Sequence, residues 1–160
     1  MKLELCEAGI DDAPSIHRMQ VKTFMPLYEK YKDDETSPVK ETVKRIVERM
    51  EQPETTYFKI MADDIFVGVI RIFQFCEERC RVSPIFILPE YQNRGITQTV
   101  FNIIERIYSK ASVWCLDTIF QEVGNCYLYE KLGYVRTGKE KIVNENMTIV
   151  SYEKHILKTV

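Results

Sequence analysis

The sequence lacks an excess of charge of either sign. Its 160 residues carry 22 Lys plus Arg against 24 Asp plus Glu, a formal net charge of -2. Without a bulk basic field, nucleic acid is not an expected partner. Histidine is scarce: His17 and His155 are the two present, and neither is near Cys76 and Cys80, which stand four apart. With Cys6, Cys115 and Cys126 distributed elsewhere, no zinc-type spacing arises, and no metal is expected. The odd cysteine count points to reduced thiols, with Cys115 and Cys126 read as small buried apolar residues. No apolar run approaches the roughly 20 residues that span a bilayer, so no membrane association is expected. Met1 to Leu5 is too acidic and too poor in apolar residues for a secretory signal, which makes a cytoplasmic protein the expectation. Repeats and low-complexity tracts are absent. So are a Gly-x-Gly-x-x-Gly turn after the first strand and a Walker lysine, which argues against NAD and P-loop nucleotide sites.

What is present suffices for one domain with a sizeable core: 45% apolar and 29% charged residues. Lys2 to Glu7 alternates as a short strand. Asp11 or Asp12 caps a helix whose apolar face uses Ile16, Met19 and Phe24. Residues 25–38, with a proline near each end, read as a partly ordered loop or short helix. Ser37 then caps a second helix with Pro38 at its first position and Val43, Ile46, Val47 and Met50 as its buried stripe. A meander follows: Tyr57 to Met61, a turn at Asp63-Asp64, Ile65 to Phe75, and Cys80 to Leu88. Val100, Phe101, Ile103, Ile104, Ile107 and Tyr108 mark an amphipathic helix. Val113 to Leu116 is a buried strand, and Asn125 to Leu132 a short helix closed by Gly133. Tyr134 to Thr137 and Met147 to His155 are the last two strands. The order β-α-α-β-β-β-α-β-α-β-β predicts a mixed, mostly antiparallel α/β sheet with helices on both faces, not a doubly wound fold.

The richest stretch is Ile85-Phe86-Ile87-Leu88-Pro89-Glu90-Tyr91-Gln92-Asn93-Arg94-Gly95-Ile96-Thr97. An apolar run stops at a proline, passes a polar turn with one glycine and enters a helix. Such a turn aims unpaired N–H groups at one point, where the helix dipole also favours negative charge. A phosphate or pyrophosphate, and hence a nucleotide-bearing ligand, is the expected occupant.

That loop, the order of elements, and Leu128-Tyr129-Glu130-Lys131-Leu132-Gly133-Tyr134 together resemble the GNAT superfamily of acyl-CoA-dependent N-acetyltransferases. The loop is similar to the family's Gln/Arg-x-x-Gly-x-Gly/Ala motif, the second segment to its Leu-Tyr-Glu-Lys-x-Gly-Phe signature. The resemblance extends over essentially the whole chain, a single N-acetyltransferase domain at 1–160, and is weakest before residue 55. Three positions depart from the family pattern. Thr97 replaces a glycine or alanine. The family asparagine, usually farther upstream of the tyrosine, has its nearest counterpart in Asn125, four residues before Tyr129. The strand Cys80 to Ile85 lacks the glutamate that serves some members as a base.

The resemblance implies that acetyl-CoA donates an acetyl group to a primary amine in a ternary complex. Amides of Gln92, Asn93, Arg94, Gly95, Ile96 and Thr97 would wrap the pyrophosphate, with Arg94 either adding attraction or simply solvated. Backbone groups of Ile85, Phe86 and Ile87 would hold the pantetheine arm, and the Ile87 N–H would stabilise the oxyanion. Asn125 would cap its helix or hold the same arm. Tyr129 matches the family's general acid, although a tyrosine on a short amphipathic helix is otherwise a core aromatic. Glu29, Asp33, Asp34 and Glu35 either attract a cationic amine, such as a cationic small molecule, or form a solvated acidic loop; none is singled out as base. Phe24, Tyr28 and Tyr31 line an acceptor pocket or pack on the sheet. Exposed C-terminal strands leave a homodimer open. The competing reading is a catalytically inactive acyl-CoA-binding sensor or interaction module of the same fold, and a ping-pong route through Cys115 or Cys126 is the remote third.

Overall fold

The structure, a computed structural model, describes residues 1–157, so the last three positions of the expected domain lie outside it. Seven strands form one sheet: β1 (Leu3–Glu7), β2 (Thr55–Ala62), β3 (Ile65–Cys76), β4 (Arg79–Ile87), β5 (Val113–Ile119), β6 (Val135–Asn144) and β7 (Met147–His155). Their order is β1-β2-β3-β4-β5-β7-β6, antiparallel throughout except for the parallel pair β4 and β5. Helices α1 (Ala13–Tyr31) and α2 (Val43–Met50) cover one face, and α3 (Ile96–Ile107) and α4 (Val123–Lys131) the other. The mixed, mostly antiparallel sheet expected from the element order is therefore present. No helix among the described residues is long and apolar enough to cross a membrane. β6 is an edge strand and mostly exposed.

Two elements differ from the sequence expectation. Residues 25–31 are not a loop: α1 runs through Pro26 to Tyr31 and ends at Lys32, whose backbone is left-handed at φ 53. Pro26 and Lys22, whose carbonyl loses its helical partner, are both exposed, so water can meet that carbonyl. The second helix is divided. Ser37 caps only a 3-10 turn at Pro38–Lys40, and α2 starts afresh with Thr42, whose hydroxyl accepts from the Arg45 amide.

The centre of the sheet is shaped by β4. Pairing of β4 with β5 covers only Arg79 to Arg81 opposite Val113 to Cys115, although both strands continue. Just beyond, the register with β3 slips between Ile70–Ile85 and Ile72–Val82, so that Ser83 and Pro84 on β4 stand opposite the single residue Arg71 on β3. Proline gives no N–H to a ladder and is tolerated in a central strand only at such a bulge. The bulge bends β4 away from β5, and the two strands splay into a wedge that connects the two faces of the sheet.

Gly68 keeps β3 tight against the far end of β4. A Cβ there would collide with the Phe86 carbonyl oxygen and stand 3.0 Å from Ile87 Cδ1. Gly68→Ala is expected to cost about 1–3 kcal/mol, read as a lower urea midpoint.

Candidate active site

The wedge is flanked by the loop between β4 and α3. Pro89–Tyr91 makes a 3-10 turn, Asn93 is left-handed at φ 62, and Gly95, at φ 77, is the N-cap of α3. The last two conformations turn successive amides to one side. Among the described residues, no acceptor meets the backbone amides from Asn93 to Gln98; the first amide with a partner is that of Thr99, which donates to Gly95 O at 3.2 Å. This is a cradle for an anion at a helix N-terminus. Gln92 takes a different part from the one expected of it. Its amide is spent on Pro89 O, and its side-chain Nε2 donates to Ile87 O at 2.9 Å, tying the loop to the end of β4. Arg94 lies over the Tyr91 ring, 5.2 Å from its centroid, and is exposed. Ile96 buries its side chain, while Thr97 is half-buried on the first turn.

Strand parity decides which backbone groups face the wedge. Leu88 N donates to Val67 O at 2.8 Å, so the alternation of an antiparallel ladder makes Phe86 with Val69 the next bonded pair. Ile87 and Ile85, opposite Gly68 and Ile70, therefore turn their N–H and C=O groups toward β5, where pairing has already ended. Phe86, expected among the backbone groups that receive the pantetheine arm, has its polar atoms turned to β3 and is excluded from that role.

A cleft of about 300 Å³ occupies the wedge. Phe24, Leu27, Tyr28 and Tyr31 of α1 wall one side, and Asn125 and Tyr129 of α4 the other. Asn125 is exposed at the N-terminal turn of α4, its amide bonded to Glu122 O. The Tyr129 ring packs edge-on against Phe101 and Tyr134, and 9% of the residue remains exposed, on the cleft. Burial pushes its phenol up to about 12. In the unfolded chain a tyrosine titrates near about 10. Stability is thus fully present below about pH 10 and is lost as pH rises toward 12, because the unfolded state ionises first. Burial raises Tyr134 and Tyr152 in the same direction. The urea midpoint is expected to fall between pH 9 and pH 11, and to fall less in Tyr129→Phe.

The family model described as "Acetyltransferase (GNAT) domain" matches residues 27–156. The chain belongs to the GNAT acetyltransferase family. Solved structures of this fold include the PaiA N-acetyltransferase of Thermoplasma acidophilum in complex with coenzyme A, at 18% identity, covering 97% of this chain and 99% of that one, with a TM-score of 0.76. The spermidine N-acetyltransferase of Vibrio cholerae, in complex with CoA and spermine, is 17% identical over 96% of this chain and 95% of its own, TM-score 0.75. The ribosomal-protein-S18-alanine N-acetyltransferase of Escherichia coli is 10% identical over 99% and 97%, TM-score 0.78. Comparison with curated protein sequences finds no match.

In this GNAT domain the acidic segment after α1 is largely committed to its own structure. Asp33 is buried and caps a turn, accepting from the Glu35 and Thr36 amides at 3.0 and 2.8 Å. Asp34 accepts from the Tyr28 hydroxyl, and Glu35 pairs with Lys141. Glu29 is exposed on α1. Two groupings have no forerunner among the sequence expectations. Arg81 and Asp117 form an ion pair at 2.6 Å where the strands part, with Ser151 Oγ donating to the other Asp117 oxygen at 2.7 Å. Tyr31 and Lys30 both reach Glu122, joining the end of α1 to the start of α4 across the cleft. The alternation of β5 could have placed Asp117 beside Cys115; nothing local foretells a contact 91 residues apart.

Proposed function

We propose that this domain transfers the acetyl group of acetyl-CoA to a primary amine by direct attack within a ternary complex. The observations that carry the reading are the outward backbone groups of Ile85 and Ile87 at the end of β4, the unpaired amides from Asn93 to Gln98 in the loop that follows, and the Tyr129 phenol on the cleft that Ile85 also lines. The amides hold the pyrophosphate, and Ile85 and Ile87 pair with the pantetheine arm. Asn125 stands at the same opening. Acetyl-CoA supplies the acyl group as a thioester. The Ile87 N–H, with its own carbonyl fixed by Gln92, is placed to stabilise charge that develops on the acyl oxygen. Tyr129 faces the leaving sulfur, and its raised pKa keeps it protonated as a hydrogen-bond donor at neutral pH. The amine enters from the α1 side; the CoA and spermine complex of the Vibrio enzyme supports an amine acceptor for this fold.

The test is amine-dependent thiol release from acetyl-CoA, with the acetylated amine identified by mass. Direct attack predicts intersecting initial-velocity lines and no acetylated cysteine on the protein. The pH profile gives a further expectation. An alkylammonium loses its proton near about 10.4, and Tyr129 keeps its own to about 12. Log kcat/KM should therefore rise with pH from 7 to 9 with no falling limb in that range. A bell centred near neutrality would contradict these roles.

A further inference from the structure

On the α1–α2 face of the sheet, among the described residues, a cluster of three arginines has one member without a carboxylate partner. Arg49 pairs with Glu41, and Arg81 with Asp117. Arg71, opposite Tyr57 on β3 and close enough to both Arg49 and Arg81 to feel their charge, has no carboxylate partner among the described residues. Its Nε donates to the Ser83 carbonyl at the β4 bulge, and its two terminal nitrogens meet no acceptor among those residues. Three arginines sharing two carboxylates is an unfavourable arrangement in a half-buried site unless an anion completes it.

Orphaned polar atoms lie in the same place. The Tyr57 hydroxyl, on a residue only 2% exposed and next to the Arg49 guanidinium, and Gln20 Oε1, on one that is 0% exposed, have no hydrogen bond of good geometry, although Gln20 Nε2 is bonded to Glu41 and to Pro38 O. Buried hydroxyls and amide oxygens are nearly always satisfied, so such a cluster calls for a ligand. It adjoins the cleft, because Ser83, Arg81 and Pro38 all line it. Ser83 is two residues, roughly 7 Å of strand, from the wedge-facing backbone of Ile85.

We infer that the acceptor amine carries a carboxylate, and that Arg71, whose guanidinium lies over the Tyr57 ring, reads that carboxylate together with the Tyr57 hydroxyl behind the Ser83 wall of the cleft. That the carboxylate belongs to the acceptor rests on the acetyl-transfer reading; the anion site does not. A guanidinium offers paired donors that match a carboxylate, and partial burial removes competing water. This selects amino-acid-like amines over plain polyamines.

The test uses matched pairs that differ only by the carboxylate, lysine with 1,5-diaminopentane and β-alanine with ethylamine. Binding is read by thermal shift of the CoA-saturated protein, and turnover by thiol release. The carboxylate member of each pair should be favoured at least tenfold. Arg71→Gln should erase that preference to within about twofold while keeping the shift produced by acetyl-CoA, and Tyr57→Phe should weaken it. If Arg71→Gln does not fold, Arg71→Lys and Tyr57→Phe carry the same comparison. Equal response to both members in wild type, no response to either up to tens of millimolar, or a preference that survives in Arg71→Gln overturns the inference. Carboxylates that bind without thiol release leave the anion site standing and remove the transfer reading. Acetylation without carboxylate preference does the reverse.

Discussion

Tyr129→Phe is expected to lower kcat by about 100-fold or more, the usual scale for losing a positioned proton donor, with the dissociation constant for acetyl-CoA changed by less than about twofold. The ring that packs against Phe101 and Tyr134 is kept, and only the hydroxyl on the cleft is removed. No hydrogen bond within the described residues uses that hydroxyl, so no folded-state partner is orphaned. Steady-state turnover with an accepted amine, alongside calorimetry with CoA, separates the two quantities. Unchanged turnover would make Tyr129 a core aromatic and return weight to a CoA-binding module without catalysis.

Thr97→Glu should act with opposite signs on folding and binding. Thr97 is in the first turn of α3, just after the Gly95 cap, where a carboxylate is favourable by about 0.3–1 kcal/mol through the helix dipole. The same carboxylate would occupy the anion cradle. Two unit charges about 5 Å apart repel by roughly 3 kcal/mol at an effective dielectric near 20, which is about a 100-fold loss of acetyl-CoA affinity. A variant as stable as wild type, or slightly more so, that binds acetyl-CoA about 100-fold more weakly is the expected result. Retained affinity would mean that the pyrophosphate does not sit on these amides.

The parts of the fold and site that are legible in the sequence are those written in local signals. The Pro89 stop, the Gly95 turn and the Gly133 helix end each need a particular residue at a particular backbone conformation, and spacing from them is enough to locate the loop and Tyr129. Local signals also mislead. Pro26 reads as a boundary, whereas its exposure lets α1 run through it. Pro38 reads as the start of a long helix, whereas it opens a single turn. The individual roles of Gln92 and Phe86 depend on side-chain reach and ladder parity, which spacing alone does not give. Arg71 is invisible in the sequence because its meaning lies in what it lacks, and a missing partner is seen only when α2, β3 and β5 are brought together.

The most direct measurement is the melting temperature with and without acetyl-CoA, with ATP and NAD as controls. A ligand at 100 times its dissociation constant adds about 2.7 kcal/mol of stability. An upward shift with acetyl-CoA, and none of similar size with the controls, is the predicted result. No shift with acetyl-CoA in folded protein would contradict the assignment of the Asn93 to Gln98 amides and the β4–β5 wedge as the donor site.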